Sequence, residues 1–208
     1  MTNLDHPIFL QSVEYIRSKL SPNGLDDLQQ AVLERLIHAS GDFALQSFLR
    51  FSSDACENAL TALNAGALIL TDTAMASAAV APMANRTLKA SVKCALEWAP
   101  RNTKTEGLTR TALGMKTAWL ELTNNAIPPI VLIGSSPTSL QTLLDMVSEG
   151  CKKPSVIIGM PVGFIGVTES KLRLLESDCS YILLEGSRGG ASLVAATINA
   201  LLREASLR

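Results

Sequence analysis

Three short runs of apolar residues in the second half of the chain each lead into a glycine-containing segment and then into a helical pattern. The runs cover residues 130–133, 156–158 and 181–184, and their length and leucine or β-branched side chains are typical of buried strands. Strands that alternate with helices predict right-handed crossovers. We therefore predict an α/β fold with a largely parallel sheet and helices on both faces, a doubly wound three-layer architecture.

The segments after these strands predict three loops at one edge of the sheet. Ser136 is the expected N-cap of one helix, with Pro137 at its first position, and Thr168 is the expected N-cap of the next helix. The third loop, 186–190, leads into a helix from about residue 191 to 205. Ligands of such sheets bind beyond the carboxyl ends of the strands, so the loops predict a ligand-facing edge. Ordinary strand-to-helix connections are the alternative.

The amino-terminal half has the spacing of amphipathic helices. Apolar positions repeat at helical intervals over residues 8–20 and 25–37, and the second helix ends around residues 38–41. A helix C-terminus favours the imidazolium form, so His38 is a candidate proton donor near neutral pH. The alternative is that His38 caps the last carbonyl groups of the helix.

Two charged residues in the middle of the chain each have two interpretations. Asp72 follows a predicted strand at 68–70, where it can bind a ligand or cap the next helix. Arg110 lies in a predicted helix over 105–122, one turn after Glu106. This arginine can therefore bind an anion or form a surface ion pair.

We predict a single domain over residues 1–208, because a chain of this length can bury one large core. The net charge of −1 gives no general attraction to nucleic acid or to an anionic membrane. Residues 86–116 differ, because seven basic and two acidic side chains give them a local charge of +5. A solvated surface explains such a segment, and so does an anionic ligand.

The cysteines and histidines argue against several kinds of site. The four cysteines are far apart and form no C-x-x-C pair, which favours reduced thiols and a cytoplasmic location. Metal-ligand spacing is absent, so we predict no metal site. The nearly uncharged run 65–84 is as long as a membrane span, but Asp72 and Pro82 interrupt it, so we predict no membrane partner.

Five segments are informative when they are taken in order. The most specific is Gly-Met-Pro-Val-Gly-Phe-Ile-Gly-Val-Thr-Glu-Ser-Lys, which spans residues 159–171. The others are residues 37–42, Thr71-Asp72 with Met75, residues 134–140, and Gly189-Gly190 with residues 199–201. Together they resemble the precorrin-8X methylmutases, also called cobalt-precorrin-8 methylmutases, and the resemblance covers nearly the whole chain.

The resemblance implies an isomerase of cobalamin biosynthesis that is homodimeric and uses no separate cofactor. It would move a methyl group on ring C of precorrin-8X or cobalt-precorrin-8 from C-11 to C-12, which gives hydrogenobyrinate or cobyrinate. The family's catalytic histidine falls on His38, its substrate-binding arginine on Arg110, and a serine near the macrocycle on Ser12.

The implied substrate is a broad apolar tetrapyrrole with acetate and propionate groups around its rim. Such a ligand needs small residues against its face and hydrogen-bond donors at its edge. The predicted loops offer backbone N–H groups at helix starts, and an arginine can bind a carboxylate with two hydrogen bonds. We therefore predict substrate contacts from loop residues as well: Asp72, Pro137, Thr138, Pro161, Val162, Gly163, Gly189 and Gly190.

Some positions depart from the family pattern, and two rival functions stay open. Ser135 and Ser136 stand where Asn-Ala is common, Ser187 is inserted in the last loop, and Ala79 replaces a frequent glycine. A doubly wound sheet also suits a nucleotide-dependent enzyme, although no G-x-G-x-x-G after a strand and no G-x-x-x-x-G-K-[ST] motif is present. A non-catalytic carrier of late corrinoid intermediates would bind the same ligand without converting it.

Overall fold

The computed structural model describes residues 5–100 and 107–208, which are built around a six-stranded sheet. The strand order is β1-β6-β5-β4-β2-β3; β1 is antiparallel to β6, and the other pairs are parallel. The strands are β1 (Leu49–Phe51), β2 (Ile69–Thr71), β3 (Val92–Cys94), β4 (Ile130–Ile133), β5 (Val156–Gly159) and β6 (Tyr181–Leu184).

Helices cover both faces of this sheet, as the alternation of strand side chains requires. Ile130 and Leu132 belong to one hydrophobic cluster, whereas Val131 and Ile133 belong to the other. The helices are α1 (Pro7–Lys19), α2 (Asp27–Ser40), α3 (Leu45–Phe48), α4 (Ala55–Asn64), α5 (Ala74–Arg86), α6 (Arg110–Leu122), α7 (Pro137–Ser148), α8 (Val167–Glu176) and α9 (Ala191–Leu207). The predicted three-layer α/β architecture is confirmed: α1, α2, α4, α5 and α9 contribute to the first cluster and α6, α7 and α8 to the second.

Two predicted helix starts differ from the structure. α8 begins at Val167 after Gly166, whose φ of 70° lies in the left-handed region, so Thr168 is inside the first turn rather than at the N-cap. α6 begins at Arg110, because the Thr109 side chain accepts a hydrogen bond from the N–H of Ala112 and so caps the helix. Glu106, the proposed partner of Arg110, lies outside the described residues.

The antiparallel strand β1 was not predicted from the sequence. It has three residues between two helices, too few to show the alternation of a half-buried strand. The strand β3 is equally short, since it ends at Cys94 and a short 3-10 helix follows at Ala95–Trp98. Both elements lie at the edges of the sheet.

The run 65–84 divides between β2 and α5, and Pro82 lies inside that helix. In the described part of the chain, no helix combines the length and the apolar character needed to cross a membrane. Cys56, Cys94, Cys151 and Cys179 are free thiols, and all except Cys151 are buried.

Candidate functional site

The loops after β4, β5 and β6 form one continuous surface at the carboxyl edge of the sheet, which we call the loop platform (residues 134–136, 160–166 and 185–190). The strands are neighbours in the sheet, so the loops are brought side by side. Backbone hydrogen bonds join them: Gly190 N–H to Met160 O at 2.9 Å, Val162 N–H to Gly134 O at 3.2 Å, and Gly163 N–H to Ser187 O at 3.2 Å. The predicted convergence of Val162, Gly163, Gly189 and Gly190 is therefore observed.

Close backbone approach in the platform requires glycine at residue 189. A Cβ atom added there would overlap the carbonyl oxygen of Met160 and would lie 2.8 Å from the carbonyl oxygen of Pro161. Neither backbone atom can move without displacing the end of β5. Pro161 itself is buried, so on this segment the exposed side chains are those of Val162, Phe164 and Ile165.

Asp72 supports the loop platform from inside the fold and has no exposed surface with which to bind a ligand. Its Oδ2 atom accepts hydrogen bonds from the N–H groups of Ser135 at 2.7 Å and Ser136 at 2.9 Å, and its side chain is fully buried. Desolvation raises the pKa of Asp72, against the effect of these hydrogen bonds. Of the two roles considered for Asp72, capping the next helix is not observed, because Thr73 caps α5; the carboxylate instead orients the β4 loop.

A chain of hydroxyl groups joins the start of α6 to the start of α7. Thr109 Oγ1 lies 2.7 Å from Thr138 Oγ1, and Thr111 Oγ1 lies 2.8 Å from Ser136 Oγ. Ser136 is the N-cap of α7 and Pro137 is its first residue, as predicted. Arg110 is exposed at the first position of α6 and follows Thr109, whose hydroxyl group contacts that of Thr138.

His38 and Ser12 line the same open hollow of about 500 Å³ between α1 and the end of α2. We call it the His38 hollow; its other lining residues are Ile8, Gln11, Tyr15, Ile16, Ile37, Gly41 and Phe43. His38 is exposed one turn before Gly41, which ends α2 in the left-handed conformation with φ of 69°. The wall of the hollow is mostly apolar, and His38 is its titratable imidazole.

Two residues that sequence reasoning missed fix the surroundings of His38. The ring of Phe9 meets the imidazole edge-on, with ring centroids 5.1 Å apart, and the guanidinium of Arg35 lies 4.9 Å from the centroid of Phe9. Desolvation lowers the pKa of His38, and the positive charge of Arg35 lowers it further. The net direction is therefore opposite to the one that the helix C-terminus alone would give. The sequence already contained an indication of this effect, because Arg35 lies one helical turn before His38.

Replacing Arg35 with glutamine is expected to raise the pKa of His38, because the substitution removes the nearby positive charge. The measurement is an NMR titration of the His38 imidazole, with a His6→Gln background to leave a single histidine signal. Arg35→Lys keeps the charge and should leave the pKa close to its original value. An equal pKa in the glutamine and lysine variants would contradict the electrostatic cause.

An ion pair connects the His38 hollow to the loop platform. Arg188 Nη1, from the loop before α9, lies 2.5 Å from Asp42 Oδ2, four residues after His38. The same guanidinium lies 4.9 Å from the ring centroid of Phe48. The ion pair thereby links the end of α2, which carries His38, to the loop that precedes α9.

Comparison with known proteins gives one consistent result. The model of the precorrin-8X methylmutase family matches residues 7–204. A precorrin-8X methylmutase of Pseudomonas aeruginosa is 36% identical over 206 residues, covering 95% of this chain and 94% of that protein. A cobalt-precorrin-8 methylmutase of Synechocystis sp. is 32% identical over 216 residues and 97% of each chain.

A solved structure agrees with the sequence relatives. The crystal structure of a precorrin-8X methylmutase from Thermus thermophilus superimposes with a TM-score of 0.86 at 33% identity, covering 96% of this chain and 95% of that chain. Sequence and fold match over almost the full length of each protein. The chain therefore belongs to the precorrin-8X methylmutase family, isomerases of cobalamin biosynthesis that shift a methyl group.

Proposed function

We propose that this chain moves the ring-C methyl group of precorrin-8X or cobalt-precorrin-8 from C-11 to C-12, giving hydrogenobyrinate or cobyrinate. The observation that carries the proposal is the exposed imidazole of His38 in a largely apolar hollow that it shares with Ser12. The reaction is an isomerisation: one carbon–carbon bond breaks at C-11 and one forms at C-12, with no net change in protons or electrons. The protein therefore needs to supply only a general acid for this reaction.

His38 acts as that acid in the proposed mechanism. Its imidazolium protonates or hydrogen-bonds the conjugated system near ring C, which withdraws electron density and lowers the barrier to the suprafacial 1,5-shift. When the shift is complete, the proton returns to the imidazole. The lowered pKa makes the imidazolium a stronger acid than an ordinary histidine, which favours proton donation to a weakly basic ring system.

The loop platform binds the rim of the macrocycle in this proposal. The starts of α7 and α9 present N–H groups near Thr138 and Gly190, and Arg110 adds two donors to a carboxylate. Phe164 and Ile165 are 88% and 89% exposed at the tip of the β5 loop. A flat apolar ligand is chemically suited to cover such side chains.

Replacing Arg110 with alanine is expected to weaken the binding of hydrogenobyrinate about 10- to 100-fold, the loss that follows from removing a charge-assisted hydrogen bond. The measurement is a titration followed by the visible absorbance of the corrinoid. Lys116→Ala removes an equal charge from an exposed position on the same helix and should leave the affinity within about twofold, because exposed charges are screened. Equal affinity for both variants would contradict a contact with the substrate and support the alternative, in which Arg110 forms a surface ion pair.

A homodimer in the cytoplasm is part of the same proposal. Exposed apolar side chains around the His38 hollow, Ile8 at 65% and Tyr15 at 60%, suit burial against a second copy of the chain. The four free thiols suit a reducing compartment. Sedimentation of the purified protein measures the mass of the assembly directly.

The decisive experiment mixes the purified protein with precorrin-8X or with cobalt-precorrin-8 and follows the visible spectrum over time. The methyl shift changes the conjugation of the macrocycle, so conversion should appear as moving absorption bands that end at the product spectrum. Conversion of one substrate and not the other would assign the metal state that the enzyme accepts. Tight binding of both without spectral conversion would contradict the proposal and favour a carrier.

A further inference from the structure

Lys171 is a buried cation that the proposed mechanism does not use. It lies in α8, and only 1% of its surface is exposed. A charge taken out of water is costly unless polar groups compensate it, so its partners show what the charge does in the fold. Burial lowers the pKa of Lys171 to about 8, which leaves the ammonium form in the majority at neutral pH.

The partners of Lys171 are two carbonyl oxygens of a single loop. Its Nζ atom donates to the carbonyl of Gly186 at 2.8 Å and to the carbonyl of Arg188 at 2.6 Å. These two residues belong to the loop between β6 and α9, two positions apart. A single ammonium group therefore fixes the path of the loop from inside.

That loop carries the contacts that join the two sides of the site. The side chain of Arg188 pairs with Asp42 and stacks on Phe48, next to the end of α2 that carries His38. The following Gly190 N–H donates to Met160 of the β5 loop, where α9 begins. A loop that shifted by one ångström would disturb both connections, and shifts of that size in a reaction site can cost about 10²-fold in rate.

The glycines of the loop add no backbone preference of their own to the contacts that hold its path. Gly186 has a φ of 68° and Gly190 has a φ of 131°. Glycine adopts such backbone conformations about as readily as others, so neither residue fixes the loop by its own steric preference. One of the two carbonyl oxygens that Lys171 binds belongs to Gly186, and the other belongs to Arg188, which lies between the two glycines. The buried ammonium supplies the constraint that side chains would supply elsewhere.

We propose that Lys171 is a positioning residue of the methyl-shift site, whose buried ammonium holds the 185–190 loop so that Arg188 ties the His38 side of the site to the start of α9. The inference rests on the proposed function, because it assigns Lys171 to the geometry of that same site. It adds a residue that touches neither the substrate nor the reacting carbons.

The test is Lys171→Met, which keeps most of the length of the side chain and removes the charge and its donors. In the ligand-free protein, the NMR signal of the Arg188 guanidinium should lose the signature of its ion pair, and the amide signals of Gly189 and Gly190 should shift. In the loaded protein, the dissociation constant of hydrogenobyrinate should rise about tenfold or more, since the platform loses its fixed geometry.

The matched control is Leu174→Ala, one turn further along α8. Leu174 is fully buried in the core cluster that also contains Leu140 and Leu183, so its truncation destabilises the same helix through packing. This variant should lower the melting temperature and keep both the Arg188 signal and the affinity for hydrogenobyrinate. Lys171→Gln, which keeps an N–H donor, replaces the methionine variant if that protein does not fold.

Two results would overturn the inference. One is a Lys171 variant that binds hydrogenobyrinate within twofold of the wild type, and the other is an Arg188 signal that does not change. A wild-type protein that neither binds nor converts the macrocycle would instead contradict the proposed function. The ligand-free NMR measurement separates these cases, because it does not depend on the substrate.

Discussion

Replacing His38 with alanine is expected to lower the rate of the methyl shift by about 10²–10⁴-fold, the contribution that a positioned general acid typically makes. Binding of the macrocycle should persist, because the rim contacts lie on the loop platform. His38 is exposed, so the free energy of unfolding should change by no more than about 0.5 kcal/mol. The measurement is kcat from the visible spectrum at saturating substrate.

The matched control for His38 is the other histidine. His6 caps α1 by accepting a hydrogen bond from the N–H of Ile8 at 3.2 Å, so His6→Ala should cost stability and leave kcat unchanged. A rate that falls equally in both variants would point to a general loss of structure. Undiminished turnover by His38→Ala would remove His38 from the mechanism.

The rate of the wild-type protein should also fall as the pH rises through the pKa of His38, because the acid must carry its proton. Partial burial and the charge of Arg35 lower that pKa. The decline in kcat/KM, which reports the free enzyme, should therefore begin at a more acidic pH than it would for an ordinary histidine. The His38→Ala variant should lose this part of the pH profile.

Replacing Gly189 with alanine is expected to lower the free energy of unfolding by about 3 kcal/mol, the upper part of the range for overpacking. The new methyl group would collide with the backbone of Met160 and Pro161, which cannot rotate away as a flexible side chain could. The loop would have to move, and the hydrogen bond from Gly190 to Met160 would be lost or lengthened. Urea unfolding measures the change.

Gly186→Ala is the matched control, since Gly186 lies in the same loop and a Cβ atom there meets no atom within 4 Å. Its cost should be about 1 kcal/mol, because only the left-handed conformation opposes alanine. The platform should also bind hydrogenobyrinate at least tenfold more weakly in the Gly189 variant, because its surface is displaced. Equal stability of the two variants would show that the platform is looser than its geometry implies.

The parts of the structure that the sequence predicted are those set by local chemistry. The apolar runs at β4, β5 and β6 are strands, and Ser136 with Pro137 opens α7, because strand burial and helix capping are written within a few residues. The parallel sheet then places the following loops at one edge. His38 at the end of α2 and Ser12 on α1 share one hollow, a proximity that the family resemblance implied.

The parts that were missed depend on partners distant in the sequence. Asp72 bonds to residues more than 60 positions later, and its role is invisible until β2 and β4 are known to be neighbours. Phe9 lies 29 positions before the imidazole that it contacts. Lys171 sits in a segment that otherwise looks like an amphipathic helix, and only the packed structure shows which carbonyl groups surround its ammonium.

The edge strands of the sheet affect how readily the protein aggregates at high concentration. In the described residues both outermost strands, β1 and β3, have three residues each, and the long apolar strands β4, β5 and β6 are paired on both sides. The middle residue of β1 is Arg50, whose guanidinium pairs with Glu185 on the neighbouring loop. A short edge strand with a charged residue offers few unpaired backbone groups to a strand of another molecule. The most aggregation-prone segments of this chain are thus shielded from edge-to-edge association for as long as β1 stays in place.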